Sequence, residues 1–76
     1  MKLSYSQRIL NFLSEQERTN GTAIFNTQVA KRRFRNVRDI DGSVMRRARE
    51  LASGKLLKRT SDGFTLTARG RKEAVK

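Results

Sequence analysis

The run Asp41-Gly-Ser-Val-Met-Arg-Arg-Ala-Arg-Glu-Leu-Ala-Ser-Gly54 constrains this chain more than any other stretch. An acid stands at its start, where a side-chain oxygen can accept from the free N–H groups of a first helical turn. A glycine stands at its end, where a left-handed residue closes a helix. At about 100° per residue, Val44, Ala48 and Leu51 share one face. Arg46 and Arg49 lie opposite, with Ser43 and Glu50 beside them and Arg47 on the flank. The spacing predicts a helix over 41–53 with Asp41 as its N-cap and Gly54 as its left-handed stop. A hairpin pattern follows at once: Lys55-Leu-Leu-Lys-Arg-Thr60, Ser61-Asp-Gly63, Phe64-Thr-Leu-Thr67. Apolar and polar positions alternate with period two, and Asp62-Gly63 suits a two-residue type I′ turn. Helix and hairpin must bury their apolar sides together, because 76 residues hold one small domain, 1–76.

The upstream half predicts weaker elements. Ser4-x-x-Gln7 fits a capping box for a helix from Ser4 to about Gln16, with Ile9, Leu10, Phe12 and Leu13 on one face. Ser6 is a competing cap, with Tyr5 and Leu10 as its hydrophobic staple. Thr19-Asn-Gly21 ends that helix. Thr22-Ala-Ile-Phe25 reads as a short strand that is stable only as a third strand beside the hairpin. A helix from Asn26 or Thr27 to Arg33 carries Val29, Ala30 and Phe34 as a narrow stripe. Arg35 to Ile40 reads as a basic connector turning at Asn36. A last short helix is capped by Thr67, with Ala68, Ala74 and Val75 as weak anchors.

Charge narrows the class of partner. The net charge is +11, from 18 Lys and Arg against 7 Asp and Glu. Residues 1–30 hold three bases and two acids, whereas residues 31–76 hold fifteen and five. A polyanion is the expected partner, and the second half the surface that meets it. With neither cysteine nor histidine, disulfides, the usual zinc ligand sets and Cys or His nucleophiles are excluded. The acids form no convincing catalytic pair, and no glycine-rich phosphate loop occurs. An enzyme, a cofactor and a small-molecule substrate are therefore not expected. Nor is a membrane partner, since no segment approaches the ~20 apolar residues of a span. The cytoplasm, or a nucleoid, is the default compartment. Phe12, Phe25, Phe34 and Phe64 fall on core stripes and do not read as base-stacking platforms.

The order is helix, short strand, helix, helix, strand, strand, short helix. Val44-Met-Arg-Arg-Ala-Arg-Glu-Leu-Ala-Ser-Gly-Lys-Leu-Leu57 resembles the recognition helix of winged helix-turn-helix proteins running into the first wing strand. Phe64-Thr-Leu-Thr-Ala-Arg-Gly-Arg71 resembles the exit from the wing in many bacterial and archaeal regulators of that family. The resemblance covers nearly the whole chain and implies an α+β fold, with three core helices and a small antiparallel sheet. It departs from the pattern in three places. The link before the recognition helix is longer than usual and bears Arg35 and Arg38, the wing tip is short, and no long terminal helix is expected to serve as the dimerisation arm of larger family members.

The implied activity is binding of double-stranded DNA, in a transcriptional regulator of prokaryotic or phage type. Arg46, Arg49 and Ser43 are the expected base-edge contacts, with Arg47 on their flank. Arginine can bond bidentately to guanine, while Gly42 and the helix N-terminus would admit an anion. Lys31, Arg32, Arg33, Arg35 and Arg38 are expected on phosphates, which set register without carrying sequence information. The wing bases Lys58 and Arg59, with Thr60, are expected on adjacent backbone, although Lys58 equally suits edge-strand protection. Three other readings remain: an accessory factor in recombination, replication or packaging; an RNA-binding winged helix; and a protein-interaction module that uses the wing or first helix and does not depend on Arg46 and Arg49. Monomer and weak dimer both fit the sequence.

Overall fold

The computed structural model describes residues 4–74, an α+β arrangement of four helical segments and a two-stranded antiparallel sheet. Helix α1 spans Tyr5–Asn20 and is capped by Ser4, whose hydroxyl accepts from the Gln7 N–H at 3.1 Å. Only half of the expected capping box forms. The Gln7 amide turns away to donate to Asn11 Oδ1 and to the carbonyls of Glu73 and Ala74, tying the two ends of the chain together. Ile9, Leu10 and Leu13 are buried as the periodicity requires. Tyr5 packs edge-on against Phe34 at 5.6 Å, so the staple onto Leu10 is replaced by an aromatic contact to the next helix. The helix also runs four residues beyond Gln16. Thr19 and Asn20 bond back to the turn before them, and Gly21 closes the helix at φ 83°.

Helix α2, Thr27–Arg33, starts where Asn26 Oδ1 accepts from the Val29 N–H at 3.0 Å. The same side chain donates through Nδ2 to the Asp62 carbonyl at 3.1 Å, pinning the hairpin tip to the start of α2. Phe34, Val37 and Ile40 then point inward at every third position of the link. This leaves Arg35, Asn36, Arg38 and Asp39 exposed.

The third helical segment differs from expectation at both ends. Its first turn, Ile40–Met45, is a π-turn that passes directly into helix α3, Arg46–Ser53. A π-turn holds one residue more than an α-turn, and both Ile40 and Met45 are buried. Asp41 is not the cap. Asp39 is, accepting from the Gly42 N–H at 2.9 Å. At the other end Gly54 has φ −82°, and the left-handed residue is Lys55 at φ 66°. Lys55 N–H reaches the Ala52 carbonyl and Leu56 N–H the Leu51 carbonyl, the paired bonds of a Schellman ending.

Strands β1, Leu57–Thr60, and β2, Gly63–Leu66, pair with Leu57 opposite Leu66 and Thr60 opposite Gly63. The loop is therefore Ser61-Asp62, not Asp62-Gly63, and neither loop residue has the positive φ of a type I′ turn. The expected third strand is reduced to one bridge. Phe25 and Phe64 exchange backbone hydrogen bonds at 2.8 Å each. Gly63 has φ 146°, and a β-carbon there would sit 2.4 Å from the Phe25 carbonyl oxygen, so only glycine allows this approach.

Helix α4, Ala68–Glu73, is capped by Thr67, as the sequence predicts. Ala74 is buried but Ala68 is exposed, and Val75 lies outside the described residues. Arg71 grips Glu17 of α1 through Nε at 2.8 Å and a second guanidinium nitrogen at 3.0 Å. The bond to Glu17, and then its charge, raise the Arg71 pKa further above its ordinary value. Among the described residues, all fifteen buried apolar ones belong to one core, which reaches from Ile9 to Ala74.

A lysine at positive φ carries a cost that glycine avoids, about 1 kcal/mol. Lys55→Gly should therefore raise the urea midpoint with an unchanged m-value. A lowered midpoint would show that the Lys55 side chain contributes more than its backbone strain removes.

Candidate nucleic-acid interface

Burying Val44, Ala48 and Leu51 turns the other side of α3 outward, and Arg46, Arg47 and Arg49 are exposed there as expected. Their surroundings differ. Glu50 takes both neighbours, Arg47 at 3.0 Å and Arg46 at 3.5 Å. These are exposed pairs worth about 0–1 kcal/mol, which a stronger anion can displace. Arg49 has no acidic partner among the described residues.

The segment entering α3 is not open to an anion in the way the sequence suggests. The Asp39 carboxylate already occupies the Gly42 N–H. A β-carbon at Gly42 would meet a carboxylate oxygen of Asp39 at 2.1 Å, so the glycine is there to let that side chain fold over the turn. Ser43 is half-buried, and its backbone N–H is spent on the Asp39 carbonyl at 2.9 Å.

Of the basic residues before α3, Arg8, Arg32, Arg33 and Arg35 line two depressions. The larger, about 1150 Å³, lies between the first turn of α1, the link after α2 and α3. Its wall carries Arg8, Arg33, Arg35 and Arg47, with Ser4, Tyr5, Ser6 and Asn36, and among the described residues no carboxylate lines it. The smaller, about 500 Å³, is lined by Phe12, Ala23, Ile24 and Val29 with Arg32 and Arg33 at its side. Arg33 stands between the two, its guanidinium 5.0 Å from the centre of the Phe12 ring. Lys31 and Arg38 are exposed outside both.

The hairpin divides its three expected contact residues. Lys58 and Arg59 are successive strand residues and so project to opposite faces of the ribbon. Arg59 lies over Phe64, 5.9 Å from the ring centre, on the core side. The Thr60 hydroxyl is engaged by the Gly63 carbonyl at 3.2 Å. The tip is tied to Asn26, and none of these three residues lines the depression that Arg47 faces.

Arg8 lies outside the surface that the sequence suggests, since charge counted along the chain places binding in residues 31–76. The signal that could have found it is spacing: Tyr5, Arg8 and Phe12 fall on one face of α1. Among the described residues, no group of three or more acidic, histidine or cysteine side chains could hold a metal ion, and no helix is long and apolar enough to cross a membrane. No protein-family model, curated protein or solved structure matches the chain.

The cap can be tested before any ligand is considered. Asp39→Ala should cost about 1 kcal/mol of stability. Gly42→Ala should cost a similar amount, because its β-carbon displaces the same carboxylate. The double variant should lose no more than either alone in chemical denaturation. Additive losses would show that Gly42 serves something other than the Asp39 cap.

Proposed function

We propose that this protein binds double-stranded DNA as a winged helix-turn-helix domain, with the segment 40–53 in the major groove, in the manner of a transcriptional regulator. The observation that carries the reading is the division of α3. One side is sealed in the core, and the other presents three exposed arginines that continue into the arginine-lined depression. The element order supports it, with the Phe25–Phe64 bridge standing where a third sheet strand is expected. Arg49 is the leading base-reading residue, since it needs no partner exchange. Arg46 and Arg47 join once duplex phosphates or bases replace Glu50. Arg32, Arg33, Arg35 and Arg38 hold phosphates. Lys58, Arg59 and Thr60 are demoted to peripheral backbone contacts.

A second reading has its own support. Glu50 occupies two of the three α3 arginines, and the hairpin is short and pinned, so phosphate contacts outnumber free base-reading groups. This favours an accessory or architectural role in recombination, replication or packaging, with modest sequence preference. The two readings separate by the ratio of specific to random affinity.

Selection from a random duplex library should enrich a motif. Arg49→Ala should then lower affinity for that motif by about 1–3 kcal/mol more than for random duplex. Neutral substitutions at Arg35 and Arg38 should weaken all duplexes alike and flatten the salt slope by about 0.9 for each phosphate no longer neutralised. A library that enriches nothing, with Arg49→Ala weakening all duplexes equally, would favour the architectural reading. Absence of duplex binding at low salt would exclude both.

A further inference from the structure

We infer that the depression beneath the first turn of α1 is a seat for the sugar-phosphate backbone of the bound duplex, and that Arg8 is a phosphate contact within it. This rests on the reading of the protein as a duplex-binding domain and extends its surface to the half of the chain that is otherwise nearly neutral.

Three observations carry it. The first is composition: four guanidiniums and two serines face the depression, no carboxylate among the described residues lines it, and of the four only Arg47 has an acidic partner, Glu50. Like charges crowded this way oppose folding, and an anion that enters relieves them. The second is preparation. The Arg8 guanidinium lies 4.6 Å from the centre of the Phe34 ring and 5.9 Å from that of Tyr5, while those rings pack edge-on against each other. A guanidinium held over aromatic rings keeps N–H donors at its edge, in a fork that suits phosphate oxygens. No acid pairs with Arg8 among the described residues.

The third is segregation. The acids of α1, Glu15 and Glu17, are engaged by Arg18 and Arg71 toward the other end of the helix. They lie roughly 10–14 Å from Arg8 along the axis at the usual rise per residue, beyond the ~8 Å screening length of physiological salt. No acid of α1 itself therefore lies close to Arg8.

The shape and position of the seat select a chain of phosphates over a single anion. The depression, about 1150 Å³, draws its cations from α1, α2, the link and α3, a spread that suits successive phosphates of one strand. Arg47 belongs both to its wall and to the flank of α3. A backbone bordering the groove that α3 enters can thus continue past Arg47 toward Arg35 and Arg8.

The test is the salt dependence of binding to a fluorescent random-sequence duplex, read by anisotropy. Arg8→Gln should flatten the slope of log K against log salt by about 0.9. Arg18→Gln, of equal charge change at the far end of α1, should leave it unaltered, and Arg8→Lys should retain most of it. Ser6→Glu provides a variant that keeps Arg8 and its aromatic contacts. It favours the helix start electrostatically, yet places a carboxylate in the seat, and should lower affinity severalfold with no loss of melting temperature. An unchanged slope in Arg8→Gln, an equal change in Arg18→Gln, or wild-type affinity in Ser6→Glu would each overturn the inference. If those results come while Arg35 and Arg38 still govern the slope, the duplex-binding reading stands without the seat. If the unaltered protein binds no duplex, the broader reading itself has failed.

Discussion

The backbone exchange between Phe25 and Phe64 holds the two halves of this molecule in register. Both hydrogen bonds are 2.8 Å, and the Phe25 side chain is fully buried. Its ring meets Phe12 of α1 and Phe34 at the end of α2, each edge-on at 6.3 Å. One residue therefore joins the first helix, the second helix and the hairpin, and Gly63 makes room for its carbonyl. Asn26, the next residue, caps α2 and ties down the hairpin tip. The start of α2 and the place of the hairpin are set within two consecutive positions. The link and α3 follow from there.

From that junction the outward display of arginine is a consequence of packing. Phe34, Val37 and Ile40 sink at every third residue, which leaves Arg35 and Arg38 outside. The π-turn carries Ile40 and Met45 inward together, and α3 continues with Ala48 and Leu51 buried. The arginines between them have no interior alternative. Their surface role is imposed by the core, while their pairing with Glu50 decides which is ready for a partner.

The core of the fold was legible because it depends on periodicity. The stripes Ile9-Leu10-Leu13 and Val44-Ala48-Leu51, the caps Ser4, Asn26 and Thr67, and the hairpin strands all follow from local spacing. The errors fall where two local signals compete and distant packing decides. Asp39 and Asp41 are both plausible caps, and the π-turn, set by burying Ile40 with Met45, selects Asp39. Gly54 and Lys55 compete for the left-handed position, and the bond from Leu56 to Leu51 places it on the lysine. Asp62-Gly63 gives a strong turn signal, yet Gly63 is drawn into the strand by the approach of Phe25, far away in sequence. Arg8 is hidden for the same reason. Its neighbours across the depression come from residues 33–47, and charge counted along the chain does not show which charges meet in space.

The central claim is that the surface from Arg33 to Arg49, continued onto the start of α1, meets a nucleic-acid duplex. Mapping amide chemical shifts during titration with a random-sequence duplex at low salt tests it most directly. The account predicts shifts at 33–38, at 40–49 and around Ser6 to Arg8, with little change near Glu15 to Gly21 and along α4. Shifts centred on α4 and the C-terminal end of α1, or spread evenly over every basic residue, would contradict it.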